Sequence, residues 1–131
     1  LAGGFALIKD LYKSKVYELS NYRNSISEVI PKDIITKEPS AELRPNQLDT
    51  DSLPDYEVLD KILNLYIEQD SSSEKIIATG IQPDLVYDVL EKVDRNEYKR
   101  KQVAPGVKLT QKAFGKDRRM PITNTYIRQK E

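Results

Sequence analysis

The sequence contains neither cysteine nor histidine. Without cysteine it has no disulfide framework and no thiolate zinc site, and without histidine it lacks the commonest general base and metal ligand of proteins. Nucleophilic triads and most metal sites are therefore excluded. No apolar run approaches the ~20 residues of a membrane-spanning helix, and no signal peptide is visible, so we expect a cytoplasmic protein with no membrane partner.

The net charge is zero, because 21 basic residues balance 21 acidic ones, so no overall field attracts nucleic acid. The charges are nevertheless unevenly distributed. Residues 28–91 contain fifteen acids against five bases, and residues 95–119 contain nine bases against two acids. The basic end leaves a nucleic-acid-binding domain as an alternative function, although the acidic middle would repel a phosphate backbone and few aromatic residues are present to stack on bases.

Apolar residues recur at helical spacing along most of the chain, which predicts one domain, or part of one, that is mainly α. The β-branched run 34–36 is expected to form a brief strand. An irregular tail over residues 102–131 needs a surface to lie on if it is not to be disordered. Four helices are predicted, over about residues 10–24, 53–70, 72–79 and 83–101.

Two of the predicted helix starts leave alternatives open. Ser71 with Glu74 matches a capping box, although the serine run could also be a linker, and we favour the helix. Lys9, Lys13 and Lys15 lie near the start of the first helix, where positive charge opposes the helix dipole. Either these lysines are simply solvated, or a nearby anion relieves the repulsion.

The stretch 37–54 is a long loop with three prolines and no helical or strand period. Such a loop inside a compact domain is either functional or disordered. Its carboxylates are compatible with Mg²⁺ and phosphate, and Lys13, Arg44, Lys99 and Arg100 suit phosphate recognition. No Walker-type or dinucleotide-binding glycine loop is present. The residues alone therefore indicate a helical domain with a basic, phosphate-compatible end, and a non-catalytic helical interaction or assembly module remains an alternative.

Four blocks of sequence are more informative about function than composition and spacing are. They are GGFA with KDLYKS over residues 3–14, IITKEPSAELRP continuing to DSLP over residues 34–54, VDRNEYKR over residues 93–100, and AFG with DRRMPIT over residues 113–123. In this order they resemble segments of bacterial glutamine-dependent NAD⁺ synthetases. The blocks span nearly the whole chain, and the last two point to the glutamine-dependent branch of that family.

The resemblance implies that residues 1–131 are the carboxy-terminal portion of the synthetase (ammonia-ligase) domain, whose parent fold is a Rossmann-like parallel α/β sheet of the adenine-nucleotide-hydrolase type. It implies an ATP-dependent ligase that amidates deamido-NAD⁺ to NAD⁺ through an adenylated intermediate, with Mg²⁺ and with ammonia derived from glutamine. The full enzyme is expected to be a homo-oligomer without a nucleic-acid partner. The pyrophosphatase-type ATP loop, the glutaminase residues and the upstream magnesium carboxylate are absent from the sequence, so the segment alone is expected to be inactive and to bind no nucleotide tightly.

By motif position, the resemblance implies ATP contacts at Lys13 and Ser40 and a deamido-NAD⁺ contact at Lys99. Arg44 and Asp51 are further candidate contacts of the same loop. No catalytic residue and no metal ligand is assigned within the segment. The loop 37–54 is expected to act as a lid over the ATP phosphates.

Overall fold

The computed structural model describes residues 4–40, 44–45, 47–51, 53–113 and 116–123. Within these ranges it is helical and contains no strand, so the mainly α class is confirmed. No helix in the described ranges is both long and apolar enough to cross a membrane. The helices are α1 Lys13–Ile26, α2 Lys32–Thr36, α3 Tyr56–Leu63, α4 Ser73–Ile77, α5 Pro83–Arg95 and α6 Glu97–Gln102, with a 3₁₀ turn at Asp49–Asp51 and a π-helical continuation of α3 at Asn64–Glu68.

The chain divides into two compact units. The first unit is Tyr12–Asp60, and the second is Leu1–Leu11 together with Lys61–Glu131. In the second unit, α4 packs on α5 and on the π-helical turn. The buried apolar side chains of this unit are Ile62 at the end of α3 and Tyr66, Ile76, Val86, Val89 and Leu90 in these three elements. The described part of the first unit contains no buried apolar side chain.

The expected strand at 34–36 is wrong, because these residues belong to α2. Pro31 precedes the helix with an extended conformation, and the Thr36 hydroxyl donates to the Lys32 carbonyl at 3.1 Å within the helix. A strand also needs a neighbour to satisfy its backbone groups, and no strand lies in the described ranges to provide one. The β-branched preference of this run therefore yields to a single helical turn.

The helix predicted over residues 72–79 begins one residue later, at Ser73. Its N-cap is Ser72, whose hydroxyl accepts from the amide of Lys75 at 3.4 Å. Ser71, the expected cap, instead donates its amide to the carbonyl of Leu65 at 2.9 Å and closes the preceding π-helical turn. The serine run is thus a helix start, displaced by one position from the capping box.

The helix predicted over residues 83–101 is two helices separated at Asn96. The Asn96 side chain donates to the Lys92 carbonyl at 2.7 Å, and its backbone amide donates to the same oxygen at 3.1 Å. An asparagine that bonds the backbone in this way competes with helical continuation. The chain therefore turns before α6, the helix that carries Lys99.

The described part of the tail belongs to the second unit, and its first contacts are with residues 4–11. The amide of Ala6 donates to the carbonyl of Pro105 at 2.8 Å, and the Lys9 ammonium donates to the carbonyl of Ala104 at 2.7 Å. Gly106 follows directly, and a Cβ there would lie 2.3 Å from the carbonyl oxygen of Ala6. The close approach of the two backbones therefore requires glycine at this position.

Further along, the tail is held by carboxylates of the same unit. The buried Asp10 accepts from the backbone of Leu109 and Thr110, and Glu68 accepts from the amide of Lys112 at 2.8 Å. Because Asp10 bonds the tail in this way, it lies outside α1, which begins at Lys13 rather than near residue 10.

Candidate functional site

The first unit contains an open cleft of about 330 Å³. One wall is the first two turns of α1, and the other is α2 with the residues that follow it up to Ser40. Val16, Ile30 and Ile35 supply apolar surface, and the polar lining is Lys13, Tyr17, Ser20, Lys37, Glu38, Ser40 and Asp49. The cleft therefore brings together Lys13 and Ser40, which lie 27 positions apart in the sequence and are both expected to contact ATP.

Lys13 is the first residue of α1 and is exposed. Its ammonium lies 5.4 Å from the centroid of the Tyr17 ring, within the distance of a cation–π contact. It forms no salt bridge with any carboxylate in the part of the chain that the structure describes. No described carboxylate therefore neutralises its positive charge.

An anion lies near the start of α1, which is one of the two alternatives that the sequence left open for the lysines there. Tyr12, the N-cap residue, makes no side-chain cap, and no acidic residue lies in the first turn. Instead the amide of Ser14 donates to Oδ2 of Asp60 at 2.9 Å, and Asp60 is only 9% exposed. This carboxylate satisfies one free amide of the helix start and offsets its positive end.

Ser40 is half-buried at the base of the loop 37–54. The two sides of this base are joined, because the amide of Asp49 donates to the carbonyl of Pro39 at 2.9 Å. The Tyr56 hydroxyl, at the start of α3, donates to Oδ2 of Asp49 at 2.5 Å. Burial, and then the hydrogen bond and negative charge of Asp49, raise the pKa of Tyr56 well above its ordinary value, so the phenol remains a donor.

The two further loop candidates do not join this cleft in what the structure describes. Arg44 is exposed and is not among the lining residues, and its carbonyl accepts from the amide of Gln47 at 3.3 Å. The side chain of Asp51 lies outside the described part, as do residues 41–43, 46 and 52 of the loop.

Lys99 is exposed on α6 in the second unit. Its neighbour Arg100 behaves differently, because the Arg100 guanidinium donates to Oε2 of Glu97 at 2.8 Å and to the carbonyl of Val93 at 2.7 Å. Glu97 is 1% exposed. Of the two cations that we grouped together as suited to phosphate, Arg100 therefore fastens α6 to the end of α5, and Lys99 alone projects into solvent.

Pairing also reduces the free charge of the basic end. Among its nine bases, five form salt bridges with carboxylates in the described residues: Arg95 with Glu91, Arg100 with Glu97, Lys108 with Asp117, Lys112 with Asp70, and Arg118 with Asp94. A surface that neutralises more than half of its cations internally offers few to a phosphate backbone. The nucleic-acid alternative is weakened accordingly.

Sequence reasoning missed several residues that organise these sites. No structural role was predicted for Asp60 or Glu97, and Asp49 was counted only among the carboxylates of the loop 37–54. The spacing of Glu97 and Arg100, three residues apart on a helix, was a local signal of pairing. The contacts of Asp60 and Asp49 join elements that are distant in sequence, and no local pattern indicates them.

Comparison with known proteins identifies the family. A model of the NAD synthase family matches residues 1–103, which is well over half of the chain. The chain belongs to the NAD synthase family. The resemblance read from the four sequence blocks is therefore confirmed.

Relatives in this family cover nearly all of the chain. It is 57% identical over 128 residues to the glutamine-dependent NAD(+) synthetase of Aquifex aeolicus, covering 98% of this chain and 23% of that protein. It is 54% identical over 126 residues to the enzyme of the same description from Acinetobacter baylyi, covering 95% of this chain and 23% of that protein. The chain thus spans less than a quarter of the length of these relatives.

A solved structure is similar as well. It is the glutamine-dependent NAD+ synthetase from Acinetobacter baumannii in complex with adenosine diphosphate, with 46% sequence identity and a TM-score of 0.55. The match covers 97% of this chain and 22% of that one. The helical segment described here is therefore consistent with part of a larger domain.

Proposed function

We propose that the chain is the carboxy-terminal portion of the synthetase domain of a cytoplasmic glutamine-dependent NAD⁺ synthetase. In the whole enzyme, the nicotinate carboxylate of deamido-NAD⁺ attacks the α-phosphate of ATP, which gives an adenylated intermediate and pyrophosphate. Ammonia derived from glutamine then displaces AMP and leaves the amide of NAD⁺. The observation that carries the proposal is the shared cleft of Lys13 and Ser40, because the motifs assigned both residues to ATP without reference to their positions in space.

The cleft of the first unit takes part of the ATP molecule. Its volume of about 330 Å³ lies at the small end of ligand sites, which suits one portion of a nucleotide rather than the whole. The exposed ammonium of Lys13, which pairs with no described carboxylate, neutralises phosphate charge, and the hydroxyl of Ser40 donates to a phosphate oxygen. Aligning the phosphates and offsetting the charge that develops on them are the two tasks that adenylation requires of a protein.

The described residues do not fit a magnesium site. They contain no group of three or more carboxylates that could hold a metal ion, and of the two carboxylates that line the cleft, Asp49 already accepts from Tyr56. In this proposal the Mg²⁺ ligands are not among the described residues, and the ammonia is supplied by another part of the enzyme.

Lys99 binds deamido-NAD⁺ in this proposal. The ammonium is exposed, and the short helix that carries it is fastened by Arg100 to the end of α5. A compact cation on a fixed helix suits an anionic group of a dinucleotide. Arg44 and Asp51 remain proposed contacts of the loop lid.

Substitution of Lys13 in a full-length synthetase that contains these residues tests the proposal. We expect Lys13→Ala to raise the KM for ATP at least about tenfold, since a charge-assisted contact to phosphate is lost. Lys15→Ala is the matched control, because Lys15 lies two positions along the same helix and pairs with Glu18. Equal KM values for the two variants would remove Lys13 from the ATP site. In the same way, Lys99→Ala should raise the KM for deamido-NAD⁺, whereas Lys101→Ala should not.

The isolated chain provides a second test. We expect it to form no NAD⁺ and to bind ATP weakly, because the ATP loop and the glutaminase residues are absent from its sequence. NAD⁺ formation by these 131 residues alone would contradict the proposal.

One observation also favours an assembly role within the full enzyme, as expected of a homo-oligomer. Leu19, Tyr22 and Ile26 of α1 share one helix face and are 47%, 66% and 66% exposed. An apolar face of this kind is typical of a helix that packs against another element. Sedimentation of the full-length synthetase with Tyr22→Lys, compared with the unaltered protein, tests whether this face supports its oligomeric state.

A further inference from the structure

A chain of contacts connects Tyr56 to the residue that precedes Ser40. The Tyr56 hydroxyl donates to the carboxylate of Asp49, and the amide of Asp49 donates to the carbonyl of Pro39. Pro39, Ser40 and Asp49 all line the cleft, and Asp49 and Tyr56 are half-buried. Asp49 therefore forms a hydrogen bond to α3 through its side chain and a hydrogen bond to the cleft wall through its backbone amide.

The position of Ser40 depends on these bonds for a simple reason. Pro39 has no amide hydrogen, so its carbonyl is the one backbone group through which it can be tied by a hydrogen bond. That carbonyl belongs to the same peptide unit as the Ser40 nitrogen. Whatever holds it also limits the orientation of the Ser40 backbone, and a hydroxyl contributes to phosphate alignment only when it is correctly oriented.

The bond between Tyr56 and Asp49 is suited to this task. A neutral phenol that donates to a carboxylate makes a short, charge-assisted hydrogen bond, which is stronger than one between two neutral groups. Burial and the neighbouring carboxylate raise the pKa of Tyr56, so that its proton is retained throughout the neutral pH range. The bond is therefore present under the conditions in which a synthetase works.

We propose that Tyr56 is a positioning residue for ATP, acting through Asp49 and Pro39 to hold Ser40 in the cleft. Tyr56 itself touches neither substrate nor reacting atom in this scheme. The inference rests on the proposed function, because it requires that Ser40 contact ATP. It adds a residue to which neither the motifs nor the family resemblance gave a role.

The test is a double-mutant cycle in the full-length synthetase, with Tyr56→Phe and Ser40→Ala separately and together. Tyr56→Phe keeps the ring and removes only the hydroxyl. We expect it to raise the KM for ATP about fivefold to tenfold, with the KM for deamido-NAD⁺ changed less than about twofold. In the Ser40→Ala background the same substitution should change the KM for ATP less than about twofold, since the residue it positions is gone.

Two further variants sharpen the cycle. Tyr87→Phe is the matched control, because Tyr87 is also half-buried and its hydroxyl has no hydrogen bond to the described residues. It should leave both KM values unaltered. Both Asp49→Asn and Asp49→Ala keep the backbone amide that bonds Pro39. Asp49→Asn also retains a side-chain oxygen that can accept from Tyr56, so its effect should be smaller than that of Asp49→Ala.

The outcomes separate this inference from the proposed function. If Ser40→Ala raises the KM for ATP and Tyr56→Phe does not, Tyr56 is not a positioning residue and the ATP site stands. Equal effects of Tyr56→Phe with and without Ser40 would also overturn the inference, because they show independent action. A lower melting temperature of Tyr56→Phe with an unaltered KM would show a merely structural role. If neither Ser40→Ala nor Lys13→Ala alters the KM for ATP, the proposed ATP site itself fails.

Discussion

Asp10 bonds the tail within the second unit through three hydrogen bonds, and its substitution by asparagine is a sharp test of the fold. The side chain is 6% exposed. Its Oδ2 atom accepts from the amide of Leu109 at 2.6 Å and from the amide and hydroxyl of Thr110 at 2.8 and 3.0 Å. One carboxylate oxygen thus satisfies three donors that lie about 100 residues away along the chain.

The expected decrease in the free energy of unfolding follows from the change of hydrogen-bond acceptor at position 10. Hydrogen bonds to a charged group contribute about 1.5–3 kcal/mol each, against about 1 kcal/mol for neutral pairs, and the contributions of neighbouring bonds are not additive. Asp10→Asn keeps an oxygen in the same place but removes the charge, so we expect the free energy of unfolding to fall by about 1–3 kcal/mol. Asp10→Ala leaves buried donors without an acceptor, and we expect a loss of about 3–5 kcal/mol.

Urea denaturation followed by circular dichroism at 222 nm measures the free energies, and hydrogen exchange of the Leu109 and Thr110 amides reports the local contact. Asp88→Asn is the control, since it removes a carboxylate from an exposed pair with Lys92 and should cost less than about 0.5 kcal/mol. The reasoning is refuted if Asp10→Asn leaves the exchange of both amides unaltered, or if it costs no more than the control does.

Three more outcomes are expected. Gly106→Ala should lower the free energy of unfolding by about 1–3 kcal/mol in the same urea experiment, because its Cβ would lie 2.3 Å from a backbone carbonyl oxygen that cannot move independently. Asn24→Ala should cost about 1–2 kcal/mol, since that side chain makes three hydrogen bonds to the backbone of residues 29–30, and a smaller loss would show that water replaces them. The hydrogen bond from Lys108 lowers the pKa of Asp117. The stability that this pair contributes is therefore present above the ordinary aspartate pKa and is lost as the pH falls through the depressed value. An NMR titration of Asp117 should show the low pKa, and Lys108→Ala should raise it.

The extent to which the sequence predicted the fold depends on the distance over which each signal acts. The helical period and Pro83 correctly indicated a helix that begins at residue 83, because both are local properties of the chain. The break at Asn96 and the displaced cap at Ser72 were missed, since each depends on which of two neighbouring polar side chains bonds the backbone. The path of the tail was beyond any local signal, because it is set by Asp10 across about 100 residues.

The candidate site likewise has features that the sequence indicates and features that appear only in the structure. Lys13 and Ser40 were named from motif resemblance, and no periodicity distinguishes them from other lysines and serines in the chain. The apolar lining from Val16 and Ile30 could be seen only once α1 and the residues after it were placed in space. For the same reason the hydrogen bond between Tyr56 and Asp49, seven residues apart across a turn, was not predicted.

The absence of buried apolar side chains in the described part of the first unit has a thermodynamic consequence. Hydrophobic burial stabilises the second unit, whereas no apolar side chain is fully buried in the described part of the first, so the first unit should open locally at a lower free energy. A ligand that binds only the closed form at a concentration of 100 times its Kd adds about 2.7 kcal/mol of stability there. If the proposed nucleotide occupies the cleft, its binding would therefore add stability to the unit that has no buried apolar side chain among its described residues.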